Sequence, residues 1–121
     1  MYKSIRNKSV IITGASEGIG KAIAVNLAKS SANIMLVSRS EKKLIDLKEQ
    51  LKRKFSIKVE YMIGDVKDPT LAKRIITESK AKLGGCDVLI NNAGGPPPGS
   101  FLDFDDDMWY EYFNQNLLST I

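Results

Sequence analysis

The sequence predicts an α/β fold, a doubly wound parallel sheet with strand order 3-2-1-4. Three observations carry that reading. A short apolar run, Val10-Ile11-Ile12, meets a glycine-punctuated turn, Thr13 to Gly20, that opens into a helical stretch from Lys21 to Ala28. Further short apolar runs recur, each followed by an amphipathic or polar stretch, in the order β-α-β-α-β-α-β-α. The polar and glycine-rich segments 13–20, 38–40, 64–66 and 91–99 all fall at the carboxyl ends of the strands. In such a sheet the ligand crevice lies there, where the strand order reverses between the first and fourth strands.

Taken in order, residues 8–13 read as the first strand and roughly 17–30 as the first helix, with Ala22, Ile23, Asn26 and Leu27 on its inner face. Ile34-Met35-Leu36-Val37 is apolar without alternation, as a parallel strand covered on both faces should be. Ser40 is placed to cap the next helix, whose stripe is Leu44, Leu47, Leu51 and Phe55, with its lysines on the opposite, solvated face. Residues 57–63 form the third strand. Asp68-Pro69 starts the third helix, lined by Leu71, Ala72, Ile75, Ile76, Ser79 and Leu83, and Gly84-Gly85 ends it. Residues 87–91 make the fourth strand, which runs into a rigid loop holding three consecutive prolines, Pro96 to Pro98. Asp105, Asp106 and Asp107 begin a last helix with Met108, Trp109, Tyr112, Phe113, Asn116, Leu117 and Thr120 on one face.

Length and composition narrow the functional classes. At 121 residues the chain reads as one domain, and 43% hydrophobic with 26% charged residues is a globular balance. No apolar run approaches a membrane span and the N-terminus has no signal-peptide core, so the expected location is cytoplasmic, with no membrane partner. One cysteine, Cys86, and no histidine argue against a metal site and exclude an internal disulfide and any His-based nucleophile pair. The net charge of +4 sits mostly on the second helix, where lysines alternate with Glu41, Asp46 and Glu49. That is a solvated face and not a nucleic-acid surface, which would interleave exposed aromatics.

The glycine turn is an anion-binding device. Its first glycine lets the chain leave the strand sharply, and the later two clear side chains from where a diphosphate and the sheet approach the backbone. Unpaired N–H groups of the first helical turn, with the dipole behind them, favour phosphate. A P-loop is a poor fit, because Ala15-x4-Gly20-Lys21-Ala22 lacks both the leading glycine and the magnesium-binding hydroxyl. After the second strand an acid would bind the ribose of NAD, whereas Ser38-Arg39 removes the carboxylate and offers a guanidinium to the 2′-phosphate of NADP. NADP is therefore preferred over NAD, with Arg39 as a plain surface residue the alternative. Asp65 could accept from an adenine amino group, with Val66 packing nearby, or could serve only the turn. Of the adjacent amides Asn91 and Asn92, one ties strand ends together and the other faces the cofactor ribose.

Four motifs together resemble the N-terminal half of the short-chain dehydrogenase/reductase family. They are Thr13-Gly14-Ala15-Ser16-Glu17-Gly18-Ile19-Gly20, Asp65-Val66, Asn91-Asn92-Ala93-Gly94, and Asn116 within Asn114-Gln115-Asn116-Leu117. The resemblance implies a Rossmann-type fold, an NAD(P) cofactor held by residues 14–20, 38, 39, 65, 66 and 92–94, and reversible hydride transfer between carbonyl and alcohol. Serine then arginine after the second strand resembles NADP-using members, many of them reductases of 3-oxoacyl thioesters or similar ketones. By the same resemblance Asn116 holds a water in the proton relay, and the last helix, through Trp109, Tyr112, Phe113 and Leu117, helps form a homo-oligomer interface. An amide on an apolar helix face could also be purely structural, provided it is hydrogen-bonded.

The family's chemistry also needs a serine and a Tyr-x3-Lys pair, and none of the four tyrosines here has lysine four residues on. Those residues are expected beyond Ile121, on strands and helices that would also cover the open apolar edge of the fourth strand. Three readings follow. One is an NADP-dependent reductase represented by its N-terminal portion and inactive as it stands; the others are a non-catalytic dinucleotide-binding module and a half-enzyme completed by another chain.

Overall fold

A computed structural model describes residues 4–92 of the chain. It contains β1 (Ser9–Thr13), α1 (Gly18–Lys29), β2 (Asn33–Ser38), α2 (Glu41–Lys54), β3 (Val59–Ile63), α3 (Leu71–Leu83) and β4 (Val88–Ile90). The four strands are parallel and ordered β3-β2-β1-β4, as expected. The proline loop from residue 93 and the last helix lie outside the described residues.

The unalternated runs are explained by burial on both faces. Val10, Ile12, Ile34 and Leu36 pack with Ala24, Ala28, Leu44, Leu47 and Leu51 of α1 and α2. Ile11, Met35 and Val37 point the other way, onto Leu71, Ile75 and Leu83 of α3. Burying each large aliphatic side chain is worth roughly 1.5–3 kcal/mol, so β1 and β2 are the anchored centre of the sheet. Register is then pinned by polar ties. Ser9 N donates to Asp87 Oδ2 at 2.8 Å, Asp87 N donates to Ser9 O at 2.8 Å, and Lys58 N donates to Asn33 Oδ1 at 2.9 Å.

Helix faces depart from the expected ones in three places. In α1, Ile23 and Leu27 pack partly buried against the core as expected, but the fully buried residues are Gly20, Ala24 and Ala28, whereas Ala22 is exposed and Asn26 turns outward to donate to Ala22 O at 3.1 Å. At Gly20 there is no room for a side chain, because a Cβ there would run into Gly14 O of the preceding turn. In α3, Leu71, Ile75, Ser79 and Leu83 are buried, while Ala72 is exposed and Ile76 is 40% exposed. Val88 and Leu89 of β4 are likewise more than two-fifths exposed. The basic face of α2 is not uniformly solvated. Lys48 pairs with Glu60 of β3 at 3.2 Å and lies 5.6 Å from the Tyr61 ring centroid, and Lys43 is also paired.

Helix ends follow the sequence signals with small shifts. Ser40 occupies the N-cap of α2, yet its side chain makes no capping bond. Helix α3 begins at Leu71, with Thr70 its N-cap. Asp68 nevertheless works as a cap for the turn before it, accepting from Thr70 N and Thr70 Oγ1, both at 2.8 Å. Those hydrogen bonds hold its carboxyl below the usual carboxylate range, with Arg74 adding to the effect. Gly84 closes α3 in the left-handed conformation, φ 83°. No helix among the described residues is long and apolar enough to cross a membrane.

Candidate cofactor site

The carboxyl ends of β1, β2 and β3 open into a cleft of about 670 Å³. Its floor is the turn between β1 and α1. Gly14 takes φ 62°, and Ala15 N donates to Val37 O at 3.2 Å, so the turn is stitched to the end of β2. Asn92 closes the structure from the other side. Its backbone N–H donates to Thr13 Oγ1 at 2.9 Å and its side-chain amide donates to Gly14 O at 3.2 Å. Of the two adjacent amides, Asn92 is thus the one that ties the strand end to the turn.

Three glycines do different work here. A Cβ on Gly20 would run into Gly14 O and come within 2.7 Å of Asn92 Nδ2, so α1 can approach the turn only without a side chain at that position. A Cβ on Gly14 would strike Asn92 O. Gly18, with φ 59°, has open space over it, and that space faces the cleft. Glu17 occupies the N-cap of α1 but makes no capping bond. Among the described residues the first-turn N–H groups are therefore left without a side-chain acceptor, next to a concavity that Gly18 lines without a Cβ, which suits a pyrophosphate.

The far end of the cleft is set by β2 and β3. Ser38 is buried, and its Oγ accepts from Ser40 N at 3.2 Å, leaving the hydroxyl proton free to donate. Arg39 is exposed at the rim. Asp65 Oδ1 accepts from Lys67 N at 2.9 Å, and its second oxygen has no hydrogen-bond partner among the described residues; Asp65 lines the cleft with Val66. Ile19, 72% exposed, is an apolar side chain standing at the cleft wall.

Gly14, Ser16, Glu17, Gly18, Ile19, Ser38, Arg39, Asp65, Val66 and Asn92, all singled out in the sequence, line this one cleft. Ala15 and Gly20 lie buried behind it as supports. Ala93, Gly94 and Asn116 fall outside the described residues. Lys43 was missed. It stands in the first turn of α2, lines the cleft and pairs with Glu17 at 2.7 Å. The available signal was its place three residues after Ser40, which sets it within a helical turn of the β2 end.

Comparison with known proteins agrees with this architecture. The family model for short chain dehydrogenases matches residues 8–121, so the chain belongs to the short-chain dehydrogenase family of oxidoreductases. It is 38% identical over 101 residues to glucose 1-dehydrogenase of Gluconobacter oxydans, covering 82% of this chain and 38% of that protein. Among solved structures it is similar to L-sorbose reductase of Gluconobacter frateurii, described in complex with NADPH and L-sorbose. The TM-score is 0.89 at 33% identity, with 99% of this chain and 46% of that one covered. A short chain dehydrogenase of Mycobacterium smegmatis gives a TM-score of 0.90 at 28% identity, covering 98% and 50%. The chain spans about two-fifths of the length of the first curated relatives it matches.

Proposed function

We propose that this chain is the cofactor-binding portion of an NADP-dependent reductase acting on a small-molecule ketone. The observation that carries the reading is the cleft itself: a glycine floor shaped for a pyrophosphate, with Ser38 in place of an acid as the last residue of β2 and Arg39 after it, where the two nicotinamide nucleotides differ. The NADPH named for the similar L-sorbose reductase complex supports the same choice.

In this reading the first-turn N–H groups of α1 hold the pyrophosphate, and Arg39 with the Ser38 hydroxyl binds the 2′-phosphate. The free oxygen of Asp65 accepts from the adenine amino group, with Val66 against the ring. Asn92, Ala93 and Gly94 belong to the cofactor site, Asn92 acting mainly through its tie to Gly14. When bound, NADPH supplies the hydride for a carbonyl carbon. Asn116 holds a relay water. The proton for the carbonyl oxygen has no donor of the family type in these 121 residues, since no tyrosine is followed at four residues by lysine. This segment alone therefore binds cofactor without turning over substrate. Cytoplasmic location and self-association through Trp109, Tyr112, Phe113 and Leu117 belong to the same proposal.

The test is ketone reduction followed by loss of nicotinamide absorbance, with the full-length gene product and with this segment alone. The full-length protein is expected to reduce ketones with NADPH at least about tenfold more efficiently than with NADH, and the segment not at all. Full-length protein that binds NADPH yet reduces no carbonyl would favour a non-catalytic module instead.

A further inference from the structure

We infer that Lys43 is a second reader of the NADP 2′-phosphate, held in place by Glu17, and that phosphate arrival exchanges the Lys43 ion pair from Glu17 to the nucleotide. The inference rests on the cofactor reading above. Four observations support it. The pair joins two segments 26 residues apart, the glycine turn and the first turn of α2, across one cleft. Glu17 sits where a helix N-cap would act, but its carboxylate is spent on Lys43 at 2.7 Å and not on the helix. Both side chains are largely solvent-exposed, 52% for Lys43 and 73% for Glu17, so the pair is weak and free to exchange. Lys43 stands in the first turn of α2 and lines the same cleft as Ser38 and Arg39 at the end of β2.

The competition has a direction. A phosphate monoester carries about −1.5 to −2 charge and three acceptor oxygens, against one charge on a carboxylate. Arg39 can present a planar fork to it, while lysine is a compact point charge that pivots on a flexible stem. Glu17 therefore keeps Lys43 near the site in the free protein and opposes the phosphate at the same time. It sets the strength of NADP preference without touching the nucleotide. The hydrogen bond from Lys43, with its charge, holds the Glu17 carboxyl below the usual carboxylate range, in keeping with a formed pair.

Dissociation constants for NADPH, NADH and 2′,5′-ADP on the full-length protein test this, in the wild type, Lys43→Met, Glu17→Gln and the double variant. Lys43→Met is expected to weaken NADPH and 2′,5′-ADP about tenfold and leave NADH within about twofold. Glu17→Gln is expected to tighten NADPH several-fold, a gain that disappears when Lys43 is also replaced. NADPH binding unchanged by Lys43→Met, or equal losses for both dinucleotides, would overturn the assignment. A Glu17→Gln gain of the same size with and without Lys43 would reduce Glu17 to simple repulsion and overturn the exchange. If neither dinucleotide binds the wild type, the cofactor reading itself fails, a result distinct from each of these.

Discussion

Gly20→Ala is expected to abolish NADPH binding and to destabilise the fold by about 2 kcal/mol, the middle of the range for forcing an extra carbon into a packed site. Helix propensity points the other way, because alanine within a helix is favoured over glycine by about 0.8–1 kcal/mol. The collision decides the sign. A Cβ at this position meets Gly14 O and Asn92 Nδ2, the atoms that hold the glycine turn to β4, and neither can move without opening that tie. Gly18→Ala is the contrasting case, since none of the described residues lies within 4 Å of a Cβ there. Its cost is the left-handed backbone alone, roughly 1–2 kcal/mol. Urea unfolding and NADPH titration of both variants separate the effects. A Gly20→Ala protein more stable than wild type with NADPH affinity intact would refute the close-packed cradle.

Ser38→Asp is expected to invert the nucleotide preference. Ser38 Oγ accepts the Ser40 N–H at 3.2 Å, and a carboxylate can accept the same bond, so the turn after β2 should survive the change. The new charge would face the 2′-phosphate and, with NADH, could accept from the ribose hydroxyl. NADPH affinity should fall roughly 30- to 100-fold and NADH affinity rise, as expected for a like charge a few ångströms from a dianion in a half-open cleft. Matched titrations with the two nucleotides provide the measurement. An unchanged ratio would mean that the β2 end does not contact the 2′ position.

Much of this was legible in the chain because two signals reinforced one another. The runs Val10–Ile12 and Ile34–Val37 are apolar at every position, and the structure buries them on both faces. Strand order followed from that pattern and the glycine turn. Helix faces are less legible, and for a physical reason. Period alone cannot distinguish Ala22 from Ala24 as the packing residue when neither carries much apolar surface, and the close approach of α1 selects the one in line with Gly20 and Ala28. For α3, periodicity counts Ile76 as inward because it is apolar, yet it is 40% exposed. In the site, residues contributed by the strand ends were found from local motif spacing. Lys43 was not, because its role comes from a contact with Glu17 made only when α2 folds back beside the glycine turn. A lysine in an amphipathic helix looks the same whether it faces water or a cleft.

In the proposed complex, backbone N–H groups at the head of α1 grip the cofactor pyrophosphate while the end of β2 reads its ribose. Amide chemical-shift mapping of the full-length protein during NADPH addition tests it most directly. The largest perturbations should fall on Ser16 to Gly20, with a second group at Ser38 and Arg39 that is weaker when NADH replaces NADPH. Saturable NADPH binding that leaves those amides unmoved and shifts others instead would contradict it.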